Sequence, residues 1–327
     1  MLFTSGRKPM KNVRHLAKKI IDLSPLAFDL EIYRNPIGNF SLIPFSNGGY
    51  LCYMRRFQYY IDGQRYFYWT PKDMILNEPH RHLFIVLDND FNLVQKVDNL
   101  ISTYYHDPIF DNETPYLEDG RLTKWTIDGK AQLFLTSAIF YQNNSHWEKF
   151  GMEVQKLSFL DGDIAAKHFW NSCEWGIIGR HKNWMSVPDE PYRFVAGTSS
   201  QGTRIADISA SRPSSVFFDI NAYDEDDLYR GNTNLIKTDD GYFTITHTLE
   251  RDNVKNKIYR NHFVKYDQNL CPVKITEPFK FTNDKIEFTT TMLELPDNEI
   301  LIGVTEMDDK PEIHIYDRTE LFNEVGF

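Results

Sequence analysis

The chain has 327 residues, enough to bury a large hydrophobic core in one large β domain or two ordinary domains. Its formal net charge is −10, which argues against general nucleic-acid binding, because affinity for a phosphate backbone requires a basic surface. The 3 cysteines lie far apart without disulfide or zinc spacing, and no apolar run approaches the ~20 residues of a membrane span. The sequence therefore predicts a cytoplasmic protein without a metal, a cofactor or a transmembrane segment.

A short amphipathic helix is predicted at about 13–23, within an N-terminal helical extension of residues 1–30. The basic residues of this region are Lys8, Lys11, Arg14, Lys18 and Lys19. Such a cluster is typical of a solvated helix face, and a contact with a membrane surface or a partner is the alternative.

After this extension the chain consists of short apolar or aromatic runs separated by Asn, Asp and Gly turns, a pattern typical of strands. A polar first strand, a tight turn, an apolar second strand and a pair of outer strands recur along it. The repeated units are 40–97, 118–165, 175–220, 229–281 and 286–315.

Units of this kind predict an all-β fold, a single five-bladed β-propeller domain over residues 1–327. An ordinary β-sandwich is the competing fold, but a sandwich would not place polar residues at the first strand of each unit. The polar openings are Asn35, 118–121, 182–184, 230–233 and 286–288. They predict a shared active site on the propeller axis.

Two adjacent carboxylates, Glu118 and Asp119, open the second unit. Glycosyl transfer needs a carboxyl group that protonates the leaving oxygen or takes a proton from the acceptor. Neighbours on a regular strand point to opposite faces, so only one of the pair can face the axis directly. Parity does not decide which one.

The run Glu118-Asp119-Gly120-Arg121 resembles the Glu-Asp-Pro-Arg signature of the β-mannoside phosphorylase and hydrolase family of five-bladed propellers. In that family the aspartate is the general acid, so the resemblance implies this role for Asp119. Further segments that resemble the family are Asn35-Pro36, 53–56, Gly231-Asn232-Thr233, 240–242, Thr246-His247, Glu287-Phe288 and 301–309 with Asp308. The resemblance spans most of the chain and implies the propeller fold and glycosyl chemistry.

The chain departs from the family pattern at three points. Gly120 stands where the family has proline, and Thr246 rather than tyrosine precedes His247. The segment 180–185 resembles instead a set of propeller proteins associated with sugar transfer, whose relatives include mannosyltransferases. The resemblance therefore supports glycosyl chemistry better than it supports any one acceptor.

A basic set is placed to hold phosphate, because arginine offers a bidentate fork and lysine a point charge. By position in the family pattern, the candidates are Arg55 or Arg56, Lys182 and His247. Several structural alternatives stay open. Arg121 and Arg230 could form buried ion pairs with Glu118 and Glu287, and His247 could be a hydrogen-bonded core histidine.

Three weaker candidates complete the survey. His80-Arg81-His82 has the alternating spacing of a two-histidine metal site but no matching carboxylate. Trp175 and Trp184 either floor the sugar site or fill the blade interior. The loop 199–202 lacks both the nucleophile-elbow and the P-loop pattern.

The sequence thus predicts a glycosyltransferase or glycoside phosphorylase that acts on a sugar or sugar phosphate, with a nucleotide sugar as an optional donor. The catalytic candidates are Asp119, Glu118 and Glu287. The substrate-binding candidates are Asn35, Arg55, Arg56, Arg121, Lys182, Asn183, Trp184, Arg230, Asn232, His247 and Asp308. A hydrolase of the same fold, with Glu287 activating water, and a non-catalytic propeller that binds a glycan or a protein are the alternatives.

Overall fold

The computed structural model describes residues 10–26, 37–45, 48–56, 59–62, 65–68, 82–97, 100–103, 115–143, 146–160, 163–172, 182–199, 202–209, 229–251, 257–282 and 286–327. Nearly all regular structure in these residues is β-strand, as the alternation of apolar runs and turns predicts.

The strands form successive sheets in chain order. The N-terminal region supplies β1 (Lys11–Asn12) and β2 (Lys19–Asp22). The first sheet has the order β3 (Ile37–Pro44), β4 (Tyr50–Arg56), β7 (His82–Leu87) and β8 (Leu93–Val97), and β5 (Tyr59–Asp62) and β6 (Arg65–Tyr68) form a separate hairpin. The second sheet has the order β10 (Pro115–Ile127), β11 (Lys130–Asn143), β12 (His146–Leu160) and β13 (Asp163–Asn171), with β9 (Leu100–Thr103) added in parallel to β13.

The third sheet contains β14 (Met185–Ser186), β15 (Arg193–Ser199) and β16 (Gly202–Asp207). The fourth contains β17 (Arg230–Gly231), β18 (Ile236–Thr238), β19 (Gly241–Arg251), β20 (Lys257–Tyr266), β21 (Pro272–Ile275), β22 (Phe279–Lys280) and β1. The fifth has the order β23 (Glu287–Leu295), β24 (Glu299–Glu306), β25 (Lys310–Asp317) and β2, and it is followed by helix α1 (Arg318–Val325).

The hydrophobic core is divided into layers, each of which lies between two successive sheets. Representative pairs, from the first sheet onward, are Leu51 with Leu122, Trp125 with Phe194, Val195 with Val264, Phe263 with Ile302, and Leu301 with Phe40. The last pair joins the fifth sheet to the first. The sheets therefore follow one another in a closed, propeller-like ring.

The prediction of five four-stranded blades is confirmed only in part. Within the described residues, four sheets have the four or more strands of a complete blade, and the third sheet has three. The third predicted unit, 175–220, extends well beyond the described residues of that sheet, which end at position 209.

The predicted N-terminal helix is wrong. Residues Arg14–Leu16 form a single 3-10 turn, and β2 (Lys19–Asp22) then pairs antiparallel with β25. The β-branched Ile20 and Ile21 suit a strand, and the edge of β25 offers their backbone groups hydrogen-bond partners. Tertiary pairing has overridden the helical pattern.

The described residues contain an α-helix at the C-terminal end instead. Helix α1 begins after Asp317, whose carboxylate accepts a hydrogen bond of 2.9 Å from the backbone N–H of Glu320. It ends at Gly326, whose φ of +74° is readily adopted by glycine.

The described basic residues near the N-terminus mostly pair with acids of the fifth sheet and of α1. Arg14 pairs with Glu312, Lys18 lies 3.0 Å from Glu299, and Lys11 lies 3.3 Å from Glu324. The described part of the chain has no helix of the length and hydropathy required to cross a bilayer.

Candidate active site

The first strands of the first and second sheets, β3 and β10, are each interrupted by a shift in register. The register shifts between Gly38 and Ser41 in β3, and between Glu118 and Arg121 in β10. At these interruptions Asn39 has a φ of +44° and Asp119 a φ of +53°. Non-glycine residues held in the left-handed region cost on the order of 1 kcal/mol each and are concentrated at functional sites.

The carboxylate of Asp119 is held through one oxygen only. Oδ1 accepts hydrogen bonds from Asn39 Nδ2 at 2.8 Å and from Arg55 Nη1 at 3.0 Å. Within the described residues Oδ2 has no hydrogen-bond partner, and the side chain keeps 12% of its surface exposed. One oxygen is thus anchored while the other is open to a ligand.

Glu118 faces the same region as its neighbour. It accepts a hydrogen bond of 2.8 Å from Arg55 Nη2 and one of 3.4 Å from Lys182 Nζ. Arg55 therefore bridges both carboxylates. The bulge between Glu118 and Arg121 allows this, because it breaks the alternation that would send adjacent side chains to opposite faces.

Arg121 is a buried tie between sheets. Its Nε donates to the carbonyl of Asn232 at 2.6 Å, Nη1 to the carbonyl of Asp119 at 2.9 Å, and Nη2 to Asn183 Oδ1 at 3.2 Å. Burial lowers the pKa of Arg121 to about 10, so the guanidinium is charged at neutral pH. The suggested ion pair with Glu118 does not form, and Arg121 holds the backbone of the site instead of contacting a ligand.

His247, on β19, lies next to this tie. Its Nδ1 is hydrogen-bonded to Asn232 Oδ1, and its ring stacks on Tyr259 with centroids 4.8 Å apart. Burial, followed by repulsion from Arg230 and Arg121, holds the pKa of His247 well below its ordinary value. The ring is therefore neutral near pH 7.

Glu287 is buried, with hydrogen bonds on both oxygens. Oε1 accepts from Asn261 Nδ2 at 2.5 Å and from the N–H of Phe281 at 3.0 Å, and Oε2 accepts from Thr282 N–H at 2.9 Å and Oγ1 at 2.7 Å. Burial raises the pKa of Glu287 to about 7 against the opposing effect of these hydrogen bonds. No described ion pair joins it to Arg230, and its position is that of a supporting group, not of a group that touches a ligand.

A cationic rim borders the carboxylates. Lys257 is half-buried at the start of β20, opposite Arg251 in the register. Its pKa is lowered by burial first and then by repulsion from Lys182 and Arg251, while Asp308 and Glu118 oppose the shift. These charges therefore lie close enough to act on one another.

Sequence reasoning missed several residues of the site: Asn39, Arg251, Lys257, Tyr259 and Asn261. Four of them lie on the same face as His247, at every second residue of β19 and of its partner strand β20. The register pairs His247 with Asn261, Leu249 with Tyr259, and Arg251 with Lys257. Asn39 follows the predicted opening residue Asn35 by four positions, at a bulge that no local pattern signals.

The remaining predicted residues occupy varied positions. Trp184 is buried between the second and third sheets, 5.6 Å from Trp170, so it fills the blade interior and does not floor the site. Arg230 of β17 lies opposite His247 of the neighbouring strand β19, and Asp308 lies in the turn after β24. Asn35, the side chain of Arg56, Trp175 and the pair His80 and Arg81 lie outside the described residues. The described part of the chain holds no group of three metal-ligating side chains.

No family model matches this sequence, and no curated protein matches it either. Solved structures do match. One is a structure from the GH130 family of mannoside phosphorylases, a family that is described as containing glycoside hydrolases that target β-1,2 mannosidic linkages in Candida mannan. It is 10% identical over 87% of this chain and 85% of its own, with a TM-score of 0.54.

Two further matches come from Leishmania mexicana. The GDP-Man-dependent mannosyltransferase MPT-1 is 12% identical over 87% of this chain and 85% of its own, with a TM-score of 0.51. The mannose phosphorylase MPT-4, in complex with phosphate, is 11% identical over 90% and 86%, with a TM-score of 0.52. At these identities the likeness is one of fold, and it confirms the predicted resemblance to propeller carbohydrate-active enzymes.

Proposed function

We propose that this chain is a glycosyltransferase or glycoside phosphorylase that moves a sugar residue at the site between Asp119 and His247, using a phosphorylated or otherwise activated sugar. The observation that carries the proposal is the carboxylate of Asp119, anchored through Oδ1 and open at Oδ2 beside a cationic rim.

Asp119 acts as the general acid or base through Oδ2. In phosphorolysis the bond from the anomeric carbon to the leaving oxygen breaks, the proton of Asp119 passes to that oxygen, and an oxygen of the phosphate anion bonds to the anomeric carbon. In transfer from an activated sugar, the phosphate or diphosphate leaves as an anion, and the carboxylate of Asp119 takes the proton of the acceptor hydroxyl as its oxygen bonds to the anomeric carbon. Asn39 and Arg55 hold the carboxyl plane in position throughout. Orientation of this kind supplies much of the rate in glycosyl transfer.

The rim favours an anionic substrate group. Lys182 and Arg251 both act on Lys257, and Glu118 contacts Arg55 and Lys182. Lysine and arginine side chains donate charge-assisted hydrogen bonds to phosphate oxygens. A phosphate, a sugar phosphate or the diphosphate of a nucleotide sugar is therefore a suitable occupant.

Hydrolysis is the second candidate, and the contacts of Glu287 weigh against it. A hydrolase needs a second carboxylate to activate water across the pocket. Glu287 was the expected residue, but it is buried and both its oxygens already accept hydrogen bonds. Phosphorolysis needs no such group, because the phosphate acceptor is already an anion. Transfer from a sugar phosphate or nucleotide sugar needs no second carboxylate either, because the donor's phosphate leaves as an anion and Asp119 can take the proton of the acceptor hydroxyl.

Mannose is the first sugar to test, because two structures of similar fold are described as a mannosyltransferase and a mannose phosphorylase. The proposal includes a cytoplasmic location, where phosphorylated and nucleotide-activated sugars are found. It also includes a single five-bladed propeller over residues 1–327, in which the three-stranded third sheet is the third blade.

The test is a donor screen read by mass spectrometry. Mannose 1-phosphate and GDP-mannose are each incubated with simple sugar acceptors, and β-mannobioses are incubated with and without inorganic phosphate. We expect glycoside formation, or phosphate-dependent cleavage that releases mannose 1-phosphate. Cleavage that needs no phosphate would instead establish a hydrolase.

A binding scaffold is separated from an enzyme by thermal stability. Ligands that bind the native state raise its melting temperature, so sugar phosphates should stabilise an enzyme of the proposed class. A protein-binding propeller would show no shift with any of them and no turnover, and this pair of results would refute the proposed function.

A further inference from the structure

Four buried side chains form a hydrogen-bonded chain that ends at His247. Asn261 Nδ2 donates to Glu287 Oε1 at 2.5 Å, Asn232 Nδ2 donates to Asn261 Oδ1 at 2.9 Å, and Asn232 Oδ1 lies 2.5 Å from His247 Nδ1. The chain runs from β23 through β20 to β19. It connects the fifth sheet with the imidazole ring of His247.

The polarity of this chain is set at its buried end. Glu287 Oε1 also accepts the backbone N–H of Phe281, while the Thr282 hydroxyl lies at Oε2. Oε1 is thus an acceptor whether or not Glu287 carries a proton. When Glu287 is protonated, Oε2 carries the proton and donates a hydrogen bond to the hydroxyl oxygen of Thr282. Asn261 must therefore present its NH₂ group to Oε1 and its carbonyl oxygen to Asn232.

The same logic continues to the histidine. Asn232 uses its NH₂ group on Asn261, so its carbonyl oxygen faces the ring of His247. A carbonyl oxygen only accepts, so Nδ1 of His247 carries the proton. In a neutral imidazole the other nitrogen, Nε2, then holds a lone pair. Within the described residues Nε2 has no hydrogen-bond partner.

We propose that the chain from Glu287 through Asn261 and Asn232 locks His247 in its Nδ1–H tautomer, so that Nε2 is a fixed acceptor for an O–H group of the bound ligand. The chemistry shared by suitable ligands is a hydroxyl donor, either a sugar hydroxyl or the P–OH of a hydrogen phosphate. The identity of the ligand rests on the proposed function, whereas the tautomer does not. An uncharged Nε2 cannot donate to a phosphate oxygen, which changes the role predicted for His247 from the sequence.

His247 orients the hydroxyl and does not store its proton. Arg230, Arg121, Lys182 and His262 all disfavour a positive charge on this buried ring. A full proton transfer to Nε2 would create that charge, so the imidazole is suited to accepting a hydrogen bond. The acid–base step stays with Asp119. His247 contacts the ligand, while Asn232, Asn261 and Glu287 are positioning residues.

The tautomer is measured directly by nitrogen NMR of the full-length protein labelled at histidine. We expect one histidine, identified by its loss in His247→Asn, with a protonated Nδ1 and a lone pair on Nε2 near neutral pH in the absence of ligand. An Nε2–H tautomer or an imidazolium would overturn the inference, whatever the activity of the protein.

The relay is tested with Asn261→Leu, which leaves Asn232 in place but removes the group that orients it. We expect a mixture of His247 tautomers and an affinity for neutral sugar at least fivefold weaker. Asn92→Leu is the matched control, because the amide of Asn92 bonds to Asp88 in an exposed turn of the first sheet, and it should leave the His247 signals unchanged. An unchanged tautomer in a folded Asn261→Leu protein contradicts the relay.

The ligand is tested in the wild-type protein, where folding is not in question. Mannose and inorganic phosphate are titrated separately. The ligand that moves the His247 Nε2 resonance towards the position of an imidazole nitrogen that accepts a hydrogen bond is the source of the hydroxyl group. An Nε2 resonance that neither ligand moves overturns the assignment of its ligand. A correct tautomer and a moving Nε2 signal without any glycosyl transfer would leave this inference intact and refute the proposed function.

Discussion

Asp119 and Glu118 share one guanidinium but differ in their other contacts. Arg55 binds both, but Glu118 has a second cation in Lys182 while Asp119 has the neutral amide of Asn39. Glu118 is thus engaged by two cations, whereas Asp119 is anchored through Oδ1 and keeps Oδ2 open to a ligand.

Replacing Asp119 with Asn should leave the fold intact and reduce transfer by about 10²-fold or more, because general acid–base catalysis typically contributes that amount. Steady-state kcat and calorimetric affinity for the donor measure the two effects separately. Asp189→Asn is the control, since Asp189 is an exposed partner of Lys237 away from the site. Undiminished kcat in Asp119→Asn would remove this residue from the mechanism.

Glu287 makes stability depend on pH. Its pKa is raised from 4.5 to about 7, so the folded state binds the proton more tightly than the unfolded state does. A shift of this size corresponds to about 3 kcal/mol of stability, which is fully present below about pH 4.5 and is lost as the pH rises through about 7.

The measurement is urea unfolding of the wild type and of Glu287→Gln at about pH 5 and about pH 8. The difference in unfolding free energy between wild type and variant should fall by up to about 3 kcal/mol over this interval. A difference that stays constant would mean that Glu287 ionises normally in the folded protein.

Among the strands, β10 positions the two candidate carboxyl groups by departing from regular geometry. Its bulge brings Glu118 and Asp119 to the same region, and Gly120 follows at a point of close packing. A Cβ built on Gly120 would lie 2.5 Å from Cζ of the buried Tyr53 and 2.9 Å from Cδ1 of Leu135. The tyrosine ring beneath the bulge therefore explains why glycine stands where the similar family has proline.

Gly120→Ala should destabilise the protein by about 1–3 kcal/mol, the usual cost of overpacking, because the rigid ring of Tyr53 cannot move away within a packed layer. It should also lower kcat by displacing Asp119. Gly202→Ala is the matched control, since nothing lies within 4 Å of a Cβ at that position of β16. Equal unfolding free energies for the two variants would contradict the packing argument.

In the whole molecule, the N-terminal segment closes the ring. β1 pairs in parallel with β22 of the fourth sheet, and β2 pairs antiparallel with β25 of the fifth. Val13 and Leu23 are buried in core layers on either side of the fifth sheet. The segment thus joins the chain's beginning to its last two sheets and covers the edge of β25.

Deleting residues 1–23 should lower the unfolding free energy by at least about 3 kcal/mol, because it removes two buried aliphatic side chains worth about 1.5–3 kcal/mol each. It should also promote aggregation through the uncovered edge of β25. Denaturant unfolding and light scattering measure the two effects. Ile20→Thr is the control, since Ile20 is exposed and its loss should be neutral. A stable, monomeric truncated chain would show that closure does not depend on β2.

The features that could be read from the sequence are local in origin. The alternation of apolar runs and turns predicted strands and a repeated sheet unit, and the run from Glu118 to Arg121 predicts a glycosyl-transfer site, which stays a prediction. Turn chemistry and strand periodicity act within a few residues, so they are legible without coordinates.

The long-range features are visible only in the folded protein. The segment predicted as a helix at 13–23 supplies β2 instead, whose partner strand β25 lies almost 300 residues away. The fold also brings both carboxyl groups to one region and connects Glu287 to His247 through Asn232 and Asn261. Contacts between residues far apart in sequence carry these features, and no local pattern encodes which sheets will meet.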